Sequence, residues 1–310
     1  MALRRSGAFG LAVALAALSA LASSADTAER VAEGTAADWL PVAEALGKSG
    51  ALLPGGVYRV GLPRTDLTVT VQGVQVKAGF ALGSYAAFTK VGAGAMVMGD
   101  LVLLDPEVNA VMSRLWENSL NVTALHNHLI EMSPHVMYMH FTGRGSVVAL
   151  ARGLRAALSA SGTPFAPPPT PAAPGELGLP KADTDAALGR TGVVSSGVLQ
   201  FVVARSERIT EDGMPLLPGM GVATVINFQP TGDGKAATTG DLVLVAREVN
   251  GAARALRAHG IQVTAIHQHA LADSPRLFYM HFWATDDAVT LARGLRAALD
   301  LTSSTKEKPQ

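Results

Sequence analysis

The sequence predicts an α+β fold: two tandem copies of an antiparallel sheet backed by helices, related by a pseudo-twofold. Three observations predict it. First, the chain repeats itself: Gly99-Asp100-Leu101-Val102-Leu103 matches Gly240-Asp241-Leu242-Val243-Leu244, and the eight residues from Ala151 match those from Ala292. Copies of roughly 125 residues are too long for a solenoid unit, so the repeat is a duplicated domain. Second, period-two alternation and helical spacing succeed one another in the same order within each copy. Third, 48% of the residues are apolar and 16% charged, which supports a packed core and argues against disorder.

The chain opens with a segment read as a signal peptide, residues 1–25. Arg4 and Arg5 form a positive start, Gly10 to Leu21 is apolar, and Ala20-Leu21-Ala22 supplies small residues for cleavage. This predicts a periplasmic or secreted protein. No later apolar run is long enough for a transmembrane segment. The first repeat domain is placed at 26–160, a Pro-rich linker at 161–180, the second repeat domain at 181–301 and a disordered tail at 302–310.

Within the first copy, Trp39 to Leu46 reads as a helix. Val57–Val60 and Leu67–Val76 read as strands, with Gly73 at a turn. Met96–Leu104 is a strand. Asp105 is a plausible N-cap with Pro106 at the first helical position, and Val108, Val111, Met112 and Leu115 give that helix an apolar face. Val122–Ile130 and Val136–Thr142 follow as a β pair, and Val147–Leu158 is a last amphipathic helix. Helices on one face of a mainly antiparallel sheet satisfy this order.

Charge is balanced, with 25 basic and 25 acidic residues, so nucleic acid is not expected as a partner. There is no cysteine. Disulfides are excluded, and any metal site must use imidazole and oxygen ligands.

Six of the eight histidines fall in two matched units: His126, His128 and His140, then His267, His269 and His281. Side chains alternate along a strand, so His126 and His128 share a face. If the two strands pair about Ser133-Pro134, His126 lies across from His140 and His128 across from Tyr138. Leu125, Met137, Met139 and Phe141 then face the helices. The second copy repeats this with Tyr279. Three imidazoles so placed can share one zinc ion and leave a fourth position for water. The expectation is zinc, at one site per repeat or one shared site, possible use as a zinc-dependent hydrolase, and Tyr138 and Tyr279 beside the ligands. Two other readings stay open: a polar cleft that binds a small-molecule or cell-envelope ligand, such as a glycan or peptide, without metal, and a purely structural role. Arg64 and Arg205 are further ligand-binding candidates, with a structural ion pair to Asp100 or Asp241 as the alternative. Glu131 and Asp273 could serve in acid–base chemistry but do not align between the copies. His135 and His259 have no counterpart and are expected at the surface.

At these residues the chain resembles the LppY/LpqO-type family of exported bacterial proteins, a domain-of-unknown-function family. The strings that carry the resemblance are Pro63-Arg64, Gly99 to Leu103, Thr123 to Leu129, Tyr138-Met139-His140, Phe278 to Ala284 and Leu291 to Asp300. The resemblance implies an exported envelope protein and supplies no activity. Mycobacterial members are lipoproteins; this chain has no cysteine, so lipid anchoring is not implied.

Overall fold

The computed structural model describes residues 35–166 and 177–305. The signal segment 1–25, much of the linker (167–176) and the end of the tail (306–310) lie outside the described residues.

The first copy begins with a 3-10 turn (Ala36–Trp39) and helix α1 (Leu40–Leu46), then strands β1 (Ala51–Leu53), β2 (Val57–Pro63), β3 (Val69–Val71) and β4 (Val74–Val76). A short helix α2 (Ala78–Ala81) leads to β5 (Gly83–Val91) and β6 (Gly94–Leu104). Helix α3 (Asp105–Glu117), β7 (Asn121–His126), β8 (Met132–Ser133), β9 (Val136–Gly145) and α4 (Val147–Leu158) complete it. The second copy repeats the order: α5 (Lys181–Leu188), β10 (Val193–Ser195), β11 (Val198–Val203), β12 (Ile209–Glu211), β13 (Met214–Leu216), then a single 3-10 turn (Pro218–Met220) in place of α2. It continues with β14 (Thr224–Gly232), β15 (Lys235–Val245), α6 (Ala246–Ala258), β16 (Gln262–His267), β17 (Asp273–Ser274), β18 (Leu277–Asp287) and α7 (Ala288–Leu299).

Each copy builds a six-stranded antiparallel sheet, ordered β1-β2-β5-β6-β9-β7 and β10-β11-β14-β15-β18-β16. Each also builds a small three-stranded sheet, β4-β3-β8 and β13-β12-β17. The expected α+β class with backing helices is observed. Strand β5 was not anticipated, because Gly83-Ser84-Tyr85-Ala86-Ala87 mixes small and polar residues without clear alternation. It becomes a strand by pairing on both sides, with β2 and β6, where tertiary context outweighs weak local preference.

One face of each large sheet packs under helices. In the first copy Val60, Leu62, Phe88, Leu101, Met139 and Phe141 meet Trp39, Val111, Leu115 and Leu154 in one buried cluster. The second copy has the matching cluster around Phe228, Met280 and Leu295. The opposite faces of the two sheets turn toward each other and share two further cores. One combines Val57, Ala87 and Met96 with Ile209, Met214, Val243 and Leu277. The other combines Val69, Val71, Phe80 and Val102 with Ala237 and Trp283. Each small sheet thus packs with the other copy's large sheet. Gln229 reinforces this exchange, donating to the Gln75 carbonyl at 2.8 Å and accepting from the Lys77 amide at 2.7 Å. The layers run helix, sheet, sheet, helix, and the centre lies between the sheets.

Two local expectations are corrected. Asp105 is the first residue of α3, not its cap; Glu107 accepts the Leu104 amide hydrogen at 2.8 Å and closes the helix start. Residues 302–305, expected in a frayed tail, are docked: Ser303 bonds Ser206 and Glu248 through its backbone, and the Thr305 amide bonds Ala204.

Candidate metal centre between the two copies

The six repeated histidines meet at one place. The rings of His126 and His267 stack on each other with centroids 3.5 Å apart, marking the pseudo-twofold. On one side His128 lies between Tyr138 at 3.3 Å and His281 at 3.6 Å. On the other, His269 lies between Tyr279 at 3.4 Å and His140 at 3.6 Å. The two units therefore form one shared centre.

The local cause is a register different from the expected one. His126 pairs with Tyr138, and Ala124, not His126, pairs with His140. Strand β7 ends at His126, and Met132 and Ser133 pair with β3 instead of closing a hairpin; farther along, a bulge at Thr123 between Val122 and Ala124 shifts the register by one more residue. The second copy has the same bulge at Thr264, with His267 opposite Tyr279. His128 and His269 lie beyond the strand ends, so strand parity does not place them. The bulge residues do: the Thr264 hydroxyl donates to the His128 carbonyl and the Thr123 hydroxyl to the His269 carbonyl, both at 2.6 Å. Each copy grips the other's histidine loop. Met139 and Phe141 pack under the helices as expected, whereas Leu125 and Ile266, on the edge strands, are exposed.

The ligand sets consequently cross between copies. Nitrogens of His126, His140 and His269 lie within 4.8 Å of one another. So do nitrogens of His128, His267 and His281, with His126 also in reach. Each set takes two histidines from one copy and one from the other; the within-copy trios anticipated from spacing are not the groups that converge. Asp100 joins His128 and His140 at similar range, and Asp241 joins His269 and His281. These aspartates pair directly with His140 and His281 across β6–β9 and β15–β18. Sequence reading noted the Gly-Asp-Leu-Val-Leu strings but not this role. A lone carboxylate inside an apolar strand, present in both copies, was the available signal.

Burial governs the electrostatics. Desolvation pushes His126 down to about 4 and His267 to about 2. His128, His140 and His269 are held well below the usual imidazole range by burial and by neighbouring imidazoles. Neutral imidazoles are the metal-binding form. Burial, with Asp241 nearby, raises the Asp100 carboxyl well above the carboxylate range. Both ring nitrogens of His126 and His267, and Nε2 of His128, His140, His269 and His281, are buried without a hydrogen-bond partner. His281 is oriented by donating from Nδ1 to the Gly240 carbonyl at 3.0 Å, which leaves Nε2 with its lone pair. Asp241 Oδ1 is 2.9 Å from that Nδ1 but makes no aligned hydrogen bond.

Other candidates lie elsewhere. Arg64 is fully buried and saturated by Asp66, Glu107 and the Val102 carbonyl. Arg205 is bound in the same way by Glu207, Glu248 and the Val243 carbonyl. Their partners are thus not Asp100 and Asp241. Both arginines brace the start of a helix against a strand, and neither lines the central cavity. Tyr138 donates to the Ala81 carbonyl at 2.7 Å. Asp273 accepts the Leu277 amide hydrogen, while Glu131 is exposed at a positive φ of 57°. His135 and His259 are at the surface, bonded to Asp105 and the Ala255 carbonyl.

A cavity of about 720 Å³ opens onto the centre and is walled by both copies, including His128, His140, His269, His281, Asp100 and Asp241.

The family model described as Domain of Unknown Function (DUF1259) matches residues 40–160 and again 182–301. The chain belongs to this family, in two copies. No curated protein matches it. Among solved structures, the trimeric bacterial microcompartment shell protein PduB is 12% identical, covering 82% of this chain and 91% of that one, with a TM-score of 0.22. Likeness at that level carries no structural argument. Among the described residues no helix is long and apolar enough to cross a membrane.

Proposed function

We propose that this is an exported protein of the LppY/LpqO type that holds divalent ions, zinc foremost, at two quasi-equivalent positions. One ion takes His126, His140 and His269; the other takes His128, His267 and His281. The observation that carries the reading is the convergence of eight buried imidazole nitrogens that have no partner. Buried polar atoms left unsatisfied are costly, and an ion supplies the missing interaction. Tetrahedral zinc with Zn–N near 2.0–2.1 Å needs nitrogens about 3.3 Å apart. Nitrogens already within 4.8 Å reach that spacing by small ring movements. Three neutral ligands leave a fourth position for water, whose pKa a bound zinc ion lowers to about 7. The adjoining cavity gives a ligand access to that position, which supports a hydrolase acting on a small-molecule or cell-envelope substrate.

The same cavity favours a second reading, a binding module without chemistry. Its glycan form is the less favoured, because Tyr138 and Tyr279 are each 2% exposed and offer no open platform for a sugar ring.

The test is metal analysis of tag-free protein after equilibration with zinc, then with chelator. Two equivalents, removed by chelator with loss of thermal stability, are expected. Less than about a tenth of an equivalent would end the metal reading.

A further inference from the structure

The cavity is not symmetric. Along the first sheet, Gly61, Tyr85, Asp100 and His140 form one row across β2, β5, β6 and β9. In the second copy the same row reads Val202, Val225, Asp241 and His281. Two residues along β2, on the same face, lies Arg59; its counterpart is Gln200, which donates to Asn227 at 2.9 Å. So one wall carries a guanidinium and a phenol where the other carries amides and valines.

Arg59 differs from the saturated Arg64 and Arg205. Its guanidinium lies over the Tyr85 ring, 3.5 Å from the centroid, and Nη1 donates to the Gly219 carbonyl at 2.9 Å. No ion pair within 4.0 Å holds it among the described residues, and the carboxyl close enough to feel its charge is Asp100. Its other donors are not among the buried unsatisfied atoms, so they open to the cavity it lines. Arg59 is half-buried, and Tyr85 beneath it is held by the second copy. Gly221, at a φ of 91°, allows the phenol oxygen to approach so closely that a Cβ there would overlap it. A guanidinium stacked on an aromatic face, tethered at one nitrogen and open at the others, is a preorganised anion receptor. Around it the wall is apolar, with Leu53, Phe80, Val202, Pro218 and Val225. Gly61 beside it leaves open space, since a Cβ there would meet nothing within 4 Å.

We propose that the cavity binds an amphiphilic monocarboxylate, with its carboxylate on Arg59 and its apolar chain lying in the open space over Gly61, against Leu53, Val202 and Val225. This goes beyond the metal reading and does not need it. Carboxylate recognition stands on Arg59, and no part of the ligand has to reach the ion.

The test is calorimetric titration with octanoate and with 1-octanol. Wild-type protein, Arg59→Gln (the second copy's residue type) and Gly61→Leu are each checked for melting temperature and zinc content. Octanoate should bind wild-type protein at least tenfold more tightly than 1-octanol. It should lose about tenfold or more in Arg59→Gln, the usual scale for a charge-assisted pair, and lose binding in Gly61→Leu, which fills that open space. Gly61→Leu keeps the test decisive if Arg59→Gln fails to fold. Equal octanoate affinity in wild type and a folded variant, or octanol binding as tightly as octanoate, would overturn the proposal. Arg59-dependent octanoate binding in protein that takes up no zinc would sink the metal reading and leave this one standing.

Discussion

Crossed ligand sets make a prediction that within-copy trios do not. In His128→Ala combined with His281→Ala, both changes fall in one set, and His126, His140 and His269 remain intact. In His128→Ala combined with His140→Ala, each change falls in a different set. The first pair should leave one tight zinc equivalent and the second none. A partition by copy predicts the reverse, because His128 and His140 would then share an ion. The size of the effect follows from ligand number. Losing a group that merely supports a metal ligand weakens binding 10–100-fold, so losing one of three ligands should reach at least the upper end. That is about 2.7 kcal/mol, or two decades in dissociation constant. Dialysis against zinc buffered within those two decades, followed by mass spectrometry of bound metal, reads the count directly. The refuting result is one equivalent retained by His128→Ala/His140→Ala together with none retained by His128→Ala/His281→Ala.

Three further outcomes are expected. Thr264→Val removes the hydroxyl that holds the His128 carbonyl; it should cost about 1 kcal/mol of stability and weaken zinc at the His128 position about 10–100-fold, read by denaturation and competitive titration. Arg64→Ala strands Glu107 and Asp66 beside a buried void, and breaking such a pair costs about 3–5 kcal/mol; melting should fall while folded protein keeps its zinc stoichiometry. Metal-free protein should lose stability on acidification. His126 and His267 are held at about 4 and about 2 against an unfolded value of about 6.5, so the unfolded chain takes up protons first. Stability is full above pH about 6.5 and declines as pH falls toward those folded values. Asp100, shifted upward, acts in the opposite sense but is one group against five histidines. Melts between pH 7.5 and 4.5 check this, and an unchanged midpoint would contradict it.

Much of this was legible in the residues. Two copies, helices on one sheet face and six histidines as the chemical signal all follow from repeated strings and periodicity. What escaped depends on contacts between the copies. Parity counting assumes that both strands run up to a tight turn at Ser133-Pro134, but β7 ends at His126 and residues 132–133 join the small sheet, so His126 pairs with Tyr138 and not His140. No local pattern reports that His128 belongs with His267 and His281, because the loop carrying it is fixed by a hydroxyl 136 residues away. Arg64 pairs with Glu107 and not Asp100, and no local pattern reports it, because Glu107 lies 43 residues along the chain and also closes the start of α3. Arg59 and Tyr85 have no like residue in the second copy, so a search by repetition passes over them.

The reciprocal threonine clasps bear on ancestry as well as chemistry. A single copy lacks one imidazole of one trio, two of the other and half of each shared core, so alone it could complete a centre only by pairing with its twin. Joining two such units in one polypeptide makes that encounter intramolecular and independent of protein concentration. It also frees the halves from having to match, and the replacement of one arginine–tyrosine pair by glutamine and valine is the kind of divergence a strict homodimer could never acquire.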